Sequence, residues 1–287
     1  NEDREALPPI LLSRGRASRY RFPGRAWEPV TVINSSISNL KLMRFTSDDV
    51  LWLSASPSLH LFDRSLLHYL NQSVPIQIWE YEQTEDEACS LDVAVELLHH
   101  YLKLRDRPIH LIGHSTSGLI GLMYARRYPH KVSSLGLLAV GLPSVVNWQA
   151  HYYTHLSAFP WSREQILTQM VKDMLGEKNQ YISERFVSYF EEDLALSPSP
   201  HSLFSMSNLR DEGVEVPLLL CSSKTDFVVS PIVMRRWLKL LKKGDRLWEC
   251  KDGRHFFHHF YPEQVGEEIL NFWLSIHSRQ PILDLKF

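Results

Sequence analysis

Short, mostly apolar runs alternate with amphipathic stretches between residues 50 and 140. The runs at 50–53, 74–79, 109–112 and 134–140 are compact and rich in Val, Ile and Leu. Strands buried on both faces of a parallel sheet carry this pattern. Between them, residues 63–70 and 90–104 predict helices. The second places Leu91, Val95, Leu98 and Leu102 at helical spacing, a stripe that faces a core. A third helix follows the run at 109–112, with Leu119, Leu122 and Met123 on one face and Pro129 at its end. The rhythm resumes late in the chain: strand 216–221, helix 232–241, strand 246–250 and a closing helix at 262–276. Alternation of this kind predicts an α/β fold, a doubly wound, mostly parallel sheet with helices on both faces.

Two stretches depart from the rhythm. Residues 1–26 are rich in Pro, Arg and Gly and read as an irregular arm, followed by short strands at 30–33 and 40–45. Residues 143–210 carry Trp148, Tyr152, Tyr153, Phe159, Trp161, Met170, Met174, Phe186, Tyr189 and Phe190 in mostly helical patterns. An aromatic helical insertion between two strands reads as a cap. The organisation expected is therefore an arm (1–26), a core in two pieces (27–142 and 211–287) and a cap (143–210).

Charge narrows the partners. A net charge of −2 gives no basic surplus with which to displace nucleic-acid counterions. The arginines at 14, 16, 19, 21 and 25 are a local exception, read as a solvated arm. The acidic run from Glu80 to Glu87 is read in the same way. Three cysteines without C-x-x-C spacing, two of them inside apolar runs, fit a reducing, cytoplasmic setting. No 18-residue apolar run could span a bilayer. The chain begins at Asn1 rather than Met, which leaves an upstream targeting segment open.

The candidate chemistry sits at Gly113-His114-Ser115-Thr116-Ser117-Gly118, between strand 109–112 and its helix. A serine in such a turn is either an ordinary N-cap or an exposed nucleophile. A nucleophilic serine needs a base, and the base needs a third group to orient it. Asp226 follows strand 216–221 within Ser222-Ser223-Lys224-Thr225-Asp226-Phe227. His255 follows strand 246–250 within Asp252-Gly253-Arg254-His255-Phe256, with His258 and His259 as competitors. The His-x-x-His-His run matches no common zinc spacing.

Taken together, these segments resemble the α/β-hydrolase superfamily from about residue 30 to 275. Gly113 to Ser117 resembles its G-x-S-x-G nucleophile elbow, with Ser117 in place of the last glycine, and the chain order Ser, acid, His is the family's. The resemblance implies an eight-stranded-type sheet with a cap. It also implies a triad of Ser115, Asp226 and His255, and an oxyanion hole from the backbone amides of Ser56 and Thr116. The family's His-Gly-x-Pro is here Ser54-Ala55-Ser56-Pro57. Pocket candidates are His114, Trp148, Phe159, Trp161, Phe227 and Phe256. The implied activity is hydrolysis of an ester or thioester of a small apolar molecule, with no cofactor and no metal. Ser at 115 speaks against the haloalkane dehalogenases and epoxide hydrolases of this fold, which attack with Asp. The rivals are a non-catalytic binding protein of the same fold, motivated by Ser117 and Ser54-Ala55, and a lyase or cofactor-free oxygenase.

Overall fold

The computed structural model describes residues 45–46, 49–83, 90–142, 146–176, 184–199, 201–202, 205–206 and 211–278. Six strands form its central sheet: β1 (Val50–Ser54), β2 (Gln77–Glu80), β3 (Ile109–His114), β4 (Val132–Leu138), β5 (Leu218–Ser223) and β6 (Arg246–Cys250). They lie in the order β2-β1-β3-β4-β5-β6, and every neighbouring pair is parallel. Side chains alternate between the faces. Leu51, Leu53, Leu111, Leu135, Leu137, Leu218 and Leu220 join one core, with the apolar stripe of α2 (Leu91–Leu102) and with α3 (Ser115–Arg127). Val50, Trp52, Ile112, Leu138, Leu219 and Cys221 join the other, against α1 (Arg64–Asn71) and α9 (Pro262–His277). This is the doubly wound arrangement that the alternation predicts. Among the described residues the central sheet has six strands, against the eight-stranded type expected. The expected strand at 30–33, and all of the one at 40–45 except Phe45, lie outside the described residues.

Three helices stand between β4 and β5: α4 (Trp148–Ala158), α5 (Arg163–Leu175) and α6 (Glu184–Leu196). A capping box starts α5, since the Ser162 hydroxyl accepts from Gln165 N and Gln165 Oε1 accepts from Ser162 N. Ile166, Leu167, Met170, Val171 and Met174 of α5 are buried together with Trp148, Tyr152 and Phe190. They belong to the same core as the α2–α3 face of the sheet, so the insertion shares the core of the sheet instead of building its own. Among the described residues, no helix is long and apolar enough to cross a membrane.

Two boundaries differ from the sequence pattern. The run at 74–79 becomes a strand only from Gln77, because Pro75 cannot donate to a ladder and Ile76 N bonds the Asn71 side chain. The helix expected at 232–241 is α7 (Pro231–Arg235) followed by a 3₁₀ turn, Arg236–Lys239. Trp237 in that turn is fully buried and donates its indole N–H to Val140 O, which fixes the tighter winding. The last two helices are α8 (Phe257–Phe260) and α9, the latter starting at Pro262 as expected.

Candidate active site

Ser56, Ser115, Thr116, Asp226 and His255 all lie just beyond the carboxyl ends of strands, where open parallel sheets place their ligands. Strand β3 runs without a spacer into α3, and Ser115 makes the turn with φ +49°. That left-handed conformation is costly for a residue with a side chain. It follows from how closely strand end and helix start cross. A Cβ on Gly113 would lie 2.7 Å from Gly118 N, and one on Gly118 would lie 2.7 Å from Gly113 O. The close approach thus needs glycine at 113 and 118. The backbone of Ser117 takes part in this crossing, its carbonyl carbon 2.8 Å from a Cβ on Gly113, while its side chain is accommodated. The Ser117 side chain turns the other way, and its hydroxyl accepts from the buried amide of Ala55 at 2.9 Å. The two departures from the family pattern, Ser117 and Ser54-Ala55, are therefore bonded to each other.

Asp226 is fully buried in the loop after β5. Its Oδ1 accepts from Val228 N at 2.8 Å and from Val229 N at 3.1 Å, which leaves Oδ2 for the His255 ring. His255 Nδ1 donates to that oxygen at 2.9 Å. With the proton on Nδ1, the lone pair of His255 lies on Nε2, which has no hydrogen-bond partner. The Ser115 hydroxyl and the His255 ring line one cavity without a hydrogen bond between them.

Ser54, Ser56, Leu59, Asp63, His114, Ser117, Trp148 and Phe256 complete that cavity. It has about 20 Å³ open to the centre of a water-sized sphere, room for about one water molecule. Of the pocket candidates, His114, Trp148 and Phe256 are in its wall. Phe227 packs edge-on against His151, and Phe159 and Trp161 stack on each other at the surface, 43% and 42% exposed. Of the two residues expected to supply oxyanion amides, Ser56 lines the cavity. The Thr116 amide is among the first four of α3, which have no acceptor within the helix.

A second layer of histidines lies behind the first. His114 Nε2 donates to the His255 carbonyl at 2.9 Å. Burial, then the neighbouring rings of His258 and His255, push the His114 pKa well down, so it stands as a neutral prop. His258 Nε2 donates to Asp63 Oδ1 at 3.0 Å, and Trp52 Nε1 donates to Asp63 Oδ2 at 3.0 Å. The competing histidine therefore already has its own acid. Among the described residues, no group of three or more His, Cys, Asp or Glu side chains is placed to hold a metal ion.

The insertion reaches each loop of this site. Asn147 Nδ2 donates to Thr116 Oγ1 at 3.5 Å, and His151 Nε2 donates to Val228 O at 3.1 Å. The Arg254 guanidinium donates to Lys172 O and Asp173 O in the last turn of α5, at 3.2 and 3.0 Å. From α6, the Asp193 carboxylate accepts from Trp148 Nε1 at 3.0 Å, Ser197 Oγ at 2.5 Å and Ser58 Oγ at 3.5 Å. Asp193 is wholly buried, which raises its pKa to about 6, while bonds from Ser197, Ser56, Trp148 and Ser58 oppose the rise. Sequence reasoning passed over Asp193. Its one signal is position: Phe190, Asp193 and Ser197 recur at i, i+3 and i+7 on the face that α6 buries.

Comparison with known proteins agrees with the fold. Residues 81–268 match the description of the alpha/beta hydrolase family. An uncharacterized protein of Nostoc sp. is 45% identical over 229 residues, covering 80% of this chain and 92% of its own. Among solved structures, Lip1 of Acinetobacter baumannii AYE superposes with a TM-score of 0.60 at 16% identity, over 88% of this chain and all of that one. A monoacylglycerol lipase of Paleococcus ferrophilus superposes with a TM-score of 0.54 at 17% identity, over 79% of this chain and 94% of its own. At these identities the structures establish the fold. The chain belongs to the alpha/beta hydrolase family.

Proposed function

We propose that the protein is a serine hydrolase that cleaves an ester or thioester through an acyl-enzyme on Ser115. The observation that carries this reading is the buried His255–Asp226 pair, bonded at 2.9 Å, beside a cavity whose floor is the strained Ser115. Ser115 Oγ attacks the carbonyl carbon and its proton passes to His255 Nε2. Asp226 keeps the ring in the required tautomer and stabilises the imidazolium that forms. The amides of Ser56 and Thr116 receive the oxyanion, aided by the positive end of α3. When the C–O or C–S bond breaks, His255 returns the proton to the leaving alcohol or thiol. Water then releases the acid by the same steps in reverse.

The cavity wall gives the substrate a coarse shape. Leu59, Trp148 and Phe256 offer an apolar side for a short acyl chain, while serines and Asp63 line the remainder. The substrate is a small apolar ester or thioester, and with room for about one water it enters when the helical insertion moves as a cap. Replacement of Ser115 by Ala is expected to abolish turnover of short p-nitrophenyl esters and labelling by a fluorophosphonate probe. A wild-type protein that the probe does not label would overturn the reading. The small cavity favours one rival, a binding protein without turnover. That rival predicts ligand-induced stabilisation that is equal in the wild type and in Ser115→Ala.

A further inference from the structure

We infer that Asp193 is a positioning residue of this site, holding the oxyanion loop and the cavity wall to the insertion through one buried carboxylate. The inference rests on the hydrolase reading above and extends it to a residue outside the triad.

A carboxylate offers two oxygens and about four lone-pair directions, and accepts only. Here the insertion takes up two donors, Trp148 Nε1 on α4 and Ser197 Oγ at the end of α6. A third donor comes from the turn after β1, the Ser58 hydroxyl at 3.5 Å. Ser58 stands two residues after Ser56, whose amide is expected to receive the oxyanion, and Trp148 is one wall of the cavity. The carboxylate thus joins a group that must be held still during the reaction to a surface that must yield when substrate enters. A purely structural role would be filled as well by an apolar side chain, because an unpaired buried carboxylate is disfavoured. Its full set of donors is what makes the charge tolerable at this depth.

Removing the acceptor frees the Ser56–Ser58 turn while leaving Ser115, His255 and Asp226 intact. The loss should fall on the step in which the oxyanion forms, with little change in ground-state binding. The test compares wild type, Asp193→Asn, Asp193→Ala, Ser58→Ala and the Asp193→Ala/Ser58→Ala double variant. Readouts are kcat and KM for p-nitrophenyl acetate, the rate of fluorophosphonate labelling, and the melting temperature. The expected result is a loss in kcat of about 10- to 100-fold with KM within about threefold. Ser58→Ala should lower kcat in the same direction, and the double variant should add little to the loss in Asp193→Ala. Should Asp193→Ala fail to fold, Ser58→Ala carries the test, since it removes only a donor and leaves the Ser56 amide in place. Folded variants with wild-type kcat, or losses that add in the double variant, would overturn the inference. Rapid labelling of both wild type and Asp193→Asn leaves the hydrolase reading standing and removes this one. No labelling of the wild type removes both.

Discussion

Replacing Ser117 by Ala deletes the acceptor of the Ala55 amide, a bond of 2.9 Å between the start of α3 and the loop after β1. Ala55 is fully buried and Ser117 nearly so. An orphaned buried N–H costs about 1–3 kcal/mol. For a chain of this size each kcal/mol lowers the melting temperature by about 2–4 °C, so the variant should melt about 2–12 °C lower. The adjoining cavity decides where in that range it falls. Its roughly 20 Å³ admits about one water, and a water that reaches the Ala55 amide brings the loss to the lower end. Activity should fall as well, because Ala55 precedes Ser56 and sets where that amide points. Ser117→Gly, which restores the family's glycine, should be no more stable than Ser117→Ala. It loses the same acceptor and adds about 0.5–1 kcal/mol of backbone entropy in the first turn of a helix. Urea unfolding followed by tryptophan fluorescence, alongside p-nitrophenyl acetate turnover, measures both effects. A Ser117→Ala protein with wild-type stability and kcat, or a more stable Ser117→Gly, would refute the reasoning.

Other outcomes follow from residues outside the candidate site. Burial, then the nearby His277, lowers the His110 pKa from 6.5 to about 3, and its Nδ1 meets Ser134 Oγ at 2.7 Å. Between those values the unfolded chain takes up a proton that the folded chain refuses. The contribution is fully present above pH 6.5 and is lost as pH falls toward 3. At pH 5 the loss is about 2 kcal/mol. His110→Asn should therefore lose less stability than wild type between pH 7 and 5, by about that amount in urea titrations, and equal slopes would contradict the assignment. Arg254 has φ +54° and holds the last turn of α5. Arg254→Gly should be more stable than Arg254→Ala by about 1 kcal/mol, since both lose the bonds and only glycine relieves the backbone. An alanine variant that matches or exceeds the glycine variant in thermal unfolding would rule that out.

The sheet was legible because strands buried on both faces leave unbroken apolar runs, as at Val50–Leu53. Ser115, Asp226 and His255 are legible as candidates for a different reason: each follows its strand directly, so local order in the chain carries spatial order at one end of the sheet. What the sequence hides is direction. Phe159 and Trp161 fall in the link between α4 and α5 and stack at the surface, while Trp148 in the first turn of α4 turns in, and the aromatic pattern alone does not show where the helix stops. Ser117 looked like a damaged glycine, since the crossing that demands glycine is one residue further on at Gly118. Asp193 was concealed in the run Glu191-Glu192-Asp193, where composition suggests solvent and only the buried neighbours Phe190 and Ser197 say otherwise.

The left-handed backbone at Ser115 also bears on how this chain would drift over generations. A side chain at φ +49° is a standing loss of about 1–2 kcal/mol that glycine would recover without disturbing the strand or the helix. Random substitution in a lineage freed from chemistry therefore runs downhill, away from serine and toward glycine or asparagine at this one position. A serine there is the residue that selection for stability alone removes early, so position 115 can serve as a tracer among relatives. Copies that keep serine resist that slope, whereas copies that carry glycine have followed it.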